Sequence, residues 1–200
     1  VYMGSEAAKT IGEQGWQAAP FSTLIGASGG PKWLILSELD KVLGQALLLK
    51  RGEPMTLLGS SIGTWRHACL SINDPGAAIS RLQHAYLYQE YSCAKPSPIE
   101  VSEVAGQMLR EALGPEGARQ ISNHATLRNA IVTARAKGVA RGESGWKLGM
   151  GMATATLGNA VSRKGLGLLF DRVAFCHCEL NALPFADGFN TQLTAINELN

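Results

Sequence analysis

The fold of this chain is decided by two stretches, LIGASGGPKWLILSELDKVLG (residues 24–44) and MTLLGSSIG (residues 55–63). In both stretches a short apolar run enters a glycine-rich turn, and a helix is predicted to begin directly after the turn. We call residues 26–32 the first glycine turn and residues 59–63 the second glycine turn. Strands that alternate with helices in this way predict an α/β fold with a mainly parallel sheet covered on both faces.

The rest of the chain continues this alternation. Strands are predicted at residues 21–25, 55–58, 129–136 and 168–177, and helices at residues 7–15, 31–43, 62–72, 77–91, 101–113 and 146–163. Gly44 predicts the end of the second helix, because glycine is common just past a helix C-terminus. Residues 181–200 show neither periodicity and are predicted to be irregular. The length of 200 residues suits a single domain.

The composition limits the classes of function. Hydrophobic residues make up 46% of the chain and charged residues 17%, which is enough apolar material for a core. The net charge is only +2 and no basic block is present, so nucleic acid is not expected as a partner. No apolar run is long enough to span a bilayer and no signal peptide is visible, which predicts a cytoplasmic protein.

The cysteines carry little functional signal. All four lie in apolar or mixed segments, at Cys69, Cys93, Cys176 and Cys178. Their placement predicts buried thiols in a reducing compartment rather than a disulfide framework. Residues 176–178 read Cys-His-Cys, but one C-x-C with a single histidine lacks the paired ligand spacing of zinc modules. We therefore expect neither a metal nor another cofactor.

The second glycine turn fits the G-x-S-x-G pattern of a nucleophile elbow. A serine on a tight strand-to-helix turn points outward at the carboxyl edge of the sheet, and here that serine is Ser61. Gly59 and Gly63 leave the room that such a strained turn needs, and the helix that starts near Ile62 directs its N-terminal N–H groups at the same place. The alternative is a plain strand–helix connection with a helix-capping serine.

The first glycine turn presents N–H groups at a helix N-terminus, the arrangement that an oxyanion hole requires. A phosphate-binding loop is the competing interpretation, and it needs Gly directly before the lysine and Ser or Thr directly after it. Here Pro31 precedes Lys32 and Trp33 follows it. The sequence therefore favours acyl transfer over nucleotide binding, with the two turns acting together.

The two turns resemble those of the patatin-like phospholipases, which pair a G-G-x-R/K oxyanion turn with a G-x-S-x-G elbow one helix and one strand later. The resemblance implies a three-layer α/β sandwich with a mainly parallel central sheet. It also implies that Ser61 is the nucleophile and that backbone N–H groups of Gly29, Gly30 and Ile62 hold the oxyanion. Lys32 occupies the basic position of the motif. Pro31 has no backbone N–H, so the first glycine turn offers one donor fewer to an oxyanion.

Patatin-like enzymes use a Ser–Asp dyad without histidine, with the aspartate in a D-G-G or D-G-A turn. Asp187-Gly188-Phe189 is a partial match, 126 residues after Ser61. Either Asp187 is the base, or the dyad aspartate lies beyond Asn200 and residues 1–200 are a patatin-like domain truncated at its C-terminal end. A histidine triad with Asp171 and His177 is a further alternative, in the chain order of α/β-hydrolases.

The sequence and the resemblance together predict a lipid acyl hydrolase, a phospholipase or esterase, that forms an acyl-serine intermediate on Ser61. Its partners are a lipid or ester substrate and, through that substrate, peripheral contact with a membrane surface. Two alternatives stay open. The chain is an acyltransferase with a similar elbow, or it is an incomplete, non-catalytic patatin-like module that binds lipid or a partner.

Overall fold

The structure, a computed structural model, describes residues 2–15, 17, 20–138, 169–176 and 191–196. In these ranges one sheet contains five strands in the order β1-β2-β3-β4-β5. Their bounds are β1 Thr23–Gly26, β2 Met55–Gly59, β3 Leu127–Ala136, β4 Phe170–Cys176 and β5 Thr191–Ala195. β1, β2 and β3 are mutually parallel, β4 is antiparallel to β3, and β5 is parallel to β4. The fold is therefore α/β with a mixed, mostly parallel sheet.

Helices connect the strands of the parallel part. Their bounds in the described ranges are α1 Ser5–Gln14, a continuous helical segment with 3-10 (Gly30–Leu36), α2 (Ser37–Val42) and π (Leu43–Leu48) parts, α3 Ile62–Leu70, α4 Pro75–Leu87, α5 Pro98–Leu113 and α6 Gly117–Ser122. Side-chain caps begin two of the helices: Asp74 accepts from the N–H of Ala77, and Ser97 from that of Glu100. Among the described residues, no helix is long and apolar enough to cross a membrane.

Strand β2 contributes to the core on both of its faces. Successive side chains of a strand point to opposite faces of the sheet, so Leu57 and Leu58 enter different clusters. Leu57 packs with Met55, Leu70 and Leu127, whereas Leu58 packs with a second cluster, Ala130, Ala174 and Cys176. An apolar run without alternation, MTLL, is thus explained by a strand that is buried on both sides.

Helix α3 is the link between the sheet and the other helices. It packs on β1, β2 and β3, and on its other side it contacts α4 and α5. The cluster between these helices is built from Trp33, Ile62, Cys69, Ile72, Ala78, Ile79, Leu82 and Ala112. Because α3 begins at the second glycine turn, its burial fixes the position of that turn relative to the sheet.

The prediction that Gly44 ends the second helix is wrong. Helical geometry continues to Leu48, and Gly44 lies inside the π part. A Cβ atom at Gly44 would lie 2.7 Å from Cβ of Pro75 and 3.2 Å from Cδ2 of Leu70. Glycine therefore occupies this position because another part of the chain packs closely against it, not because the helix stops there.

Other predictions about the elements need smaller corrections. Residues 181–200 are not uniformly irregular, since β5 lies within them. The sheet is mainly parallel as predicted, and the antiparallel pair is β3 with β4. Helix α6 has no counterpart among the predicted elements. Cys69 and Cys176 are buried as expected, but Cys93 is exposed. The helix predicted at 146–163, together with His177, Cys178 and Asp187, lies outside the described residues.

Candidate active site

Ser61 has the strained backbone of a tight strand-to-helix turn. Its φ is 54° and its ψ is −133°, and no other described non-glycine residue has a positive φ. It lies between the end of β2 and the start of α3, and it is exposed to solvent. Such a conformation costs of the order of 1–3 kcal/mol and persists only where the surrounding packing imposes it. Strain of this kind is concentrated at functional sites, which makes Ser61 the first candidate.

The glycines that flank Ser61 are required by close packing. A Cβ at Gly59 would lie 2.8 Å from both the nitrogen and the Cα of Thr64 in α3. A Cβ at Gly63 would overlap the carbonyl group of Gly26 at the end of β1. Helix and strands therefore approach each other more closely here than any side chain permits. The exposed Ser61 lies in the tight turn between these close contacts.

Gly26 is a third glycine of this kind, and the motif did not single it out. A Cβ there would lie 2.7 Å from Cε1 and 2.8 Å from Nε2 of His67, and 2.9 Å from the carbonyl oxygen of Gly63. Gly26 and Gly63 thus pack backbone against backbone. The signal in the sequence is that the first glycine turn begins with glycine directly after the strand.

The two glycine turns meet at one edge of the sheet. β1 and β2 are parallel neighbours, with Gly26 opposite Gly59. The N–H of Ser60 donates to the carbonyl oxygen of Gly26 at 3.2 Å. The hydroxyl oxygens of Ser28 and Ser60 are 2.7 Å apart and share a hydrogen bond. Adjacent strands and these two bonds therefore hold the two turns together.

The first glycine turn leads into a 3-10 helix rather than directly into an α-helix. Gly30 is the first residue of that helix and has a φ of 51°, a value that favours glycine. Pro31 follows, where its missing N–H removes no helical hydrogen bond. The side chain of Lys32 is exposed, and its backbone N–H donates to the carbonyl oxygen of Gly29 at 3.3 Å.

The backbone N–H groups at this edge differ in whether they donate to another backbone group. The N–H groups of Gly63 and Thr64 donate to the carbonyl oxygens of Ser60 and Ser61. Within the described part of the chain, the N–H groups of Gly29, Gly30 and Ile62 donate to no backbone acceptor outside the helices and strands. Each lies at or just before a helix start, where intrahelical acceptors are lacking. They are therefore available to an anion or a polarised carbonyl oxygen.

A cleft with a volume of about 410 Å³ opens beside the second glycine turn. Its lining combines Ser60 with residues from β3 and β4, namely Val132, Thr133, Ala134, Phe170, Asp171 and Arg172. The surface is mainly apolar. Asp171 is the carboxylate in this lining, and it forms an ion pair with Lys137 at 2.7 Å. Such a lining suits an apolar group.

Of the three histidines among the described residues, His67 and His124 are held by burial or hydrogen bonds and His84 is exposed. His67 is buried below Gly26, and burial, assisted by the charge of Arg66, lowers its pKa to about 4. Nδ1 of His124 accepts from the N–H groups of Thr126 and Leu127 at the start of β3. Desolvation lowers the pKa of His124 as well. His84 is exposed on α4, with its ring against that of Tyr88.

A buried ion pair connects the helical segments that follow the two turns. Nε and Nη2 of Arg66 on α3 each lie 2.6 Å from a carboxylate oxygen of Asp40 on α2. Asp40 is fully buried and Arg66 is largely so. The two residues are 26 positions apart, and no motif joins them in the sequence. The pair joins α2 to α3 behind the site.

The candidate site thus consists of a strained, exposed Ser61, free N–H groups on both turns and an adjoining apolar cleft. Sequence reasoning singled out Ser61 and the flanking glycines, but it missed the roles of Gly26 and Ser28 and the ion pair behind them. In comparisons with protein-family models, curated proteins and solved structures, nothing matches this chain.

Proposed function

We propose that the protein is a lipid acyl hydrolase that acts through an acyl-serine intermediate on Ser61. The observation that carries the proposal is the strained φ of Ser61 at the sheet edge where the first glycine turn also lies. A hydroxyl nucleophile and preorganised N–H donors at one place are the two requirements of acyl transfer. In the same proposal the fold is a three-layer, patatin-like sandwich.

In the proposed reaction, Ser61 Oγ attacks the ester carbonyl carbon, and the carbonyl electron pair moves onto its oxygen. The N–H groups of Gly29, Gly30 and Ile62 stabilise that oxyanion. As the carbonyl re-forms, the bond to the alcohol breaks, and a general base passes the serine proton to the leaving oxygen. Water then attacks the acyl-serine by the same steps, which releases the carboxylic acid and restores Ser61.

The base in this proposal is an aspartate, as in a Ser–Asp dyad, and Asp187 is the candidate that this sequence offers. The burial and the low pKa of His67 support a base other than this histidine. Its ring is buried beneath Gly26, and its low pKa of about 4 makes it a poor proton acceptor near neutral pH. His124 lies just before β3, whose first residue pairs with Met55, at the opposite end of β2 from Ser61.

The surroundings of the two turns support an apolar, ester-bearing substrate. The cleft beside Ser60 has the apolar side chains Val132 and Phe170 in its wall. The helical segment after the first glycine turn exposes Ile35, Leu39 and Val42, with 85% of Ile35 accessible to solvent. Peripheral contact with lipid follows from this proposal. We also assign the protein to the cytoplasm, where an unpaired thiol such as Cys69 persists.

Hydrolysis of p-nitrophenyl esters tests the proposal. The protein should release p-nitrophenol, Ser61→Ala should lose at least 100-fold in kcat, and Ser22→Ala should keep the activity. Ser22 is a suitable control because it is an exposed serine next to β1. Release that survives in Ser61→Ala would contradict the assignment of the nucleophile.

The acyl acceptor is identified by product analysis. With an alcohol or thiol acceptor added, a hydrolase releases mainly the free acid, whereas an acyltransferase forms the new ester or thioester. An acceptor-dependent product as the main species would replace hydrolysis with transfer. The nucleophile would be the same in both cases.

A further inference from the structure

We propose that the hydroxyl pair Ser28–Ser60 positions the first glycine turn for oxyanion stabilisation. The inference rests on the acyl-hydrolase function proposed above. Ser28 directly precedes Gly29 in the first turn, and Ser60 directly precedes Ser61 in the second. Their hydroxyl oxygens are 2.7 Å apart, a good length for an O–H···O hydrogen bond. The pair therefore joins the donor side of the site to the nucleophile side.

Ser60 is a fixed anchor for this bond. Its N–H donates to the carbonyl oxygen of Gly26 at 3.2 Å, and its own carbonyl oxygen accepts from the N–H of Gly63 at 3.1 Å. The residue is thus bonded to the end of β1 and to the first turn of α3. Ser28 Oγ also lies 3.4 Å from the Ser60 carbonyl oxygen. A partner that hydrogen-bonds Ser60 is therefore held in place by the sheet and by α3.

The first glycine turn needs such an anchor. Gly29 and Gly30 have no side chains and lose more conformational freedom on ordering than other residues. In the described part of the chain, the Ser28 hydroxyl makes the side-chain hydrogen bonds that connect residues 27–30 to the second turn. Without it the N–H groups of Gly29 and Gly30 would sample more orientations. Oxyanion stabilisation depends on donors that are oriented before the reaction.

The pair is suited to positioning rather than to general stability. Ser28 is exposed and Ser60 is half-buried. Replacing either by alanine leaves the other hydroxyl within reach of water, so no buried polar group loses its partner. Loss of the bond should therefore reduce the rate of the chemical step and leave the melting temperature almost unchanged.

The test is the rate at which a fluorophosphonate modifies Ser61. In this reaction Ser61 Oγ bonds to phosphorus, fluoride leaves, and the serine proton leaves with it as hydrogen fluoride. Saturation kinetics separates reversible probe binding from the inactivation rate constant. Ser28→Ala and Ser60→Ala should each lower the rate constant about fivefold to tenfold. Ser28→Ala, which lies outside the cleft lining, should leave the binding constant unchanged.

The double alanine variant and the conservative variant Ser28→Thr test whether the hydrogen bond between the two hydroxyls is responsible for the rate. Because both alanine substitutions remove the same bond, Ser28→Ala/Ser60→Ala should be no slower than the slower single variant. Ser28→Thr keeps the hydroxyl and should restore most of the rate. Ser102→Ala is the matched control, because its exposed hydroxyl donates to the carbonyl oxygen of Pro98 in the same helix, α5. All variants should melt within about 2 °C of the unsubstituted protein.

The results that would overturn the positioning role can be distinguished from those that would overturn the proposed function. Modification of Ser61 at an unchanged rate in both alanine variants, or losses that multiply in the double variant, would overturn the positioning role and leave the proposed function intact. Loss of rate together with a much lower melting temperature would also overturn it, because a structural role would then suffice. A protein whose Ser61 is not modified at all would overturn the proposed function and the positioning role together.

Discussion

The two ends of helix α3 differ in almost every physical respect. At its N-terminal end, Ser61 is strained and exposed. Gly59 and Gly63 have no side chain there, so the backbone of α3 packs directly against that of the strands. Toward its C-terminal end, His67 and Cys69 are buried, and Arg66 forms an ion pair with Asp40. Burial raises the pKa of the Cys69 thiol to about 12. One helix of nine residues thus combines a strained end with a stabilised one.

The comparison shows how the strain at Ser61 is maintained. A residue in a strained conformation relaxes unless disrupting the packing of its neighbours would cost more free energy than the relaxation gains. Helix α3 is held by the Asp40–Arg66 pair and by burial of its inner face, so the strain cannot be relieved by moving the helix. Substitutions at the buried end should therefore change stability most, and substitutions at the exposed end should change activity most.

The largest effect on stability is expected from breaking the ion pair. Asp40→Asn leaves the largely buried Arg66 without its compensating charge and should reduce the free energy of unfolding by about 4 kcal/mol. Urea denaturation measures this loss. Glu38→Gln is the control, because Glu38 pairs with Lys41 at the surface and should cost less than about 0.5 kcal/mol. Equal losses in the two variants would contradict the importance of the buried pair.

The next largest effect concerns the contact of Gly63 with Gly26. Gly63→Ala places a methyl group against the Gly26 carbonyl, which belongs to a strand and cannot rotate away. We expect a loss of about 3 kcal/mol in the free energy of unfolding and a loss of Ser61 reactivity. Gly12→Ala in α1 is the matched control. Gly12 has open space around it, and alanine there should stabilise the protein by up to about 1 kcal/mol.

A smaller effect is expected from protonation of His67. Its pKa is lowered to about 4 in the folded protein, whereas an unfolded histidine has its ordinary value of about 6.5. Above this ordinary value both states are neutral. As the pH falls below it, the unfolded chain binds a proton that the folded protein does not, so stability is lost. The loss should reach about 2 kcal/mol by pH 5.

Denaturation at a series of pH values checks the contribution of His67. In His67→Gln, the contribution of His67 to the pH dependence between about pH 6.5 and 5 should disappear, while the exposed His84→Gln should keep it. The lowered pKa of His124 leaves a further contribution of the same sign in both variants. A pH profile that is the same in His67→Gln and in the unsubstituted protein would show that another group is responsible.

The smallest change in stability is expected at Ser61 itself, and its sign is opposite. Ser61→Gly removes the cost of a positive φ and should raise the free energy of unfolding by about 1 kcal/mol, while it abolishes reaction with a fluorophosphonate. Thermal denaturation and labelling measure the two effects on the same sample. A destabilised Ser61→Gly variant would show that the serine side chain contributes to the fold and that its backbone is not strained.

Much of the fold was predictable because local patterns determine it. Apolar runs and turn residues gave β1, β2 and α3 to within about two residues, and the two glycine turns indicated the shared edge. The direction of β4 was not predictable, because pairing between distant strands depends on tertiary packing. The same holds for Gly44, whose role is set by Pro75 far along the chain.

The candidate site was predictable to a smaller extent. Ser61 stood out because its motif is local. The roles of Gly26, Ser28 and Asp40 depend on residues that are 26 or more positions away in sequence, at His67, Ser60 and Arg66. Contacts between residues so far apart in sequence leave no periodic signal in a single sequence.

The most direct test of the central claim is to identify the residue that a fluorophosphonate modifies. Mass spectrometry of the intact protein should show one added phosphonyl group, and peptide mapping should place it on Ser61. Ser61→Ala should stay unmodified, whereas Ser22→Ala should react normally. Modification at another residue, or equal modification of Ser61→Ala, would contradict the claim that the second glycine turn carries the nucleophile.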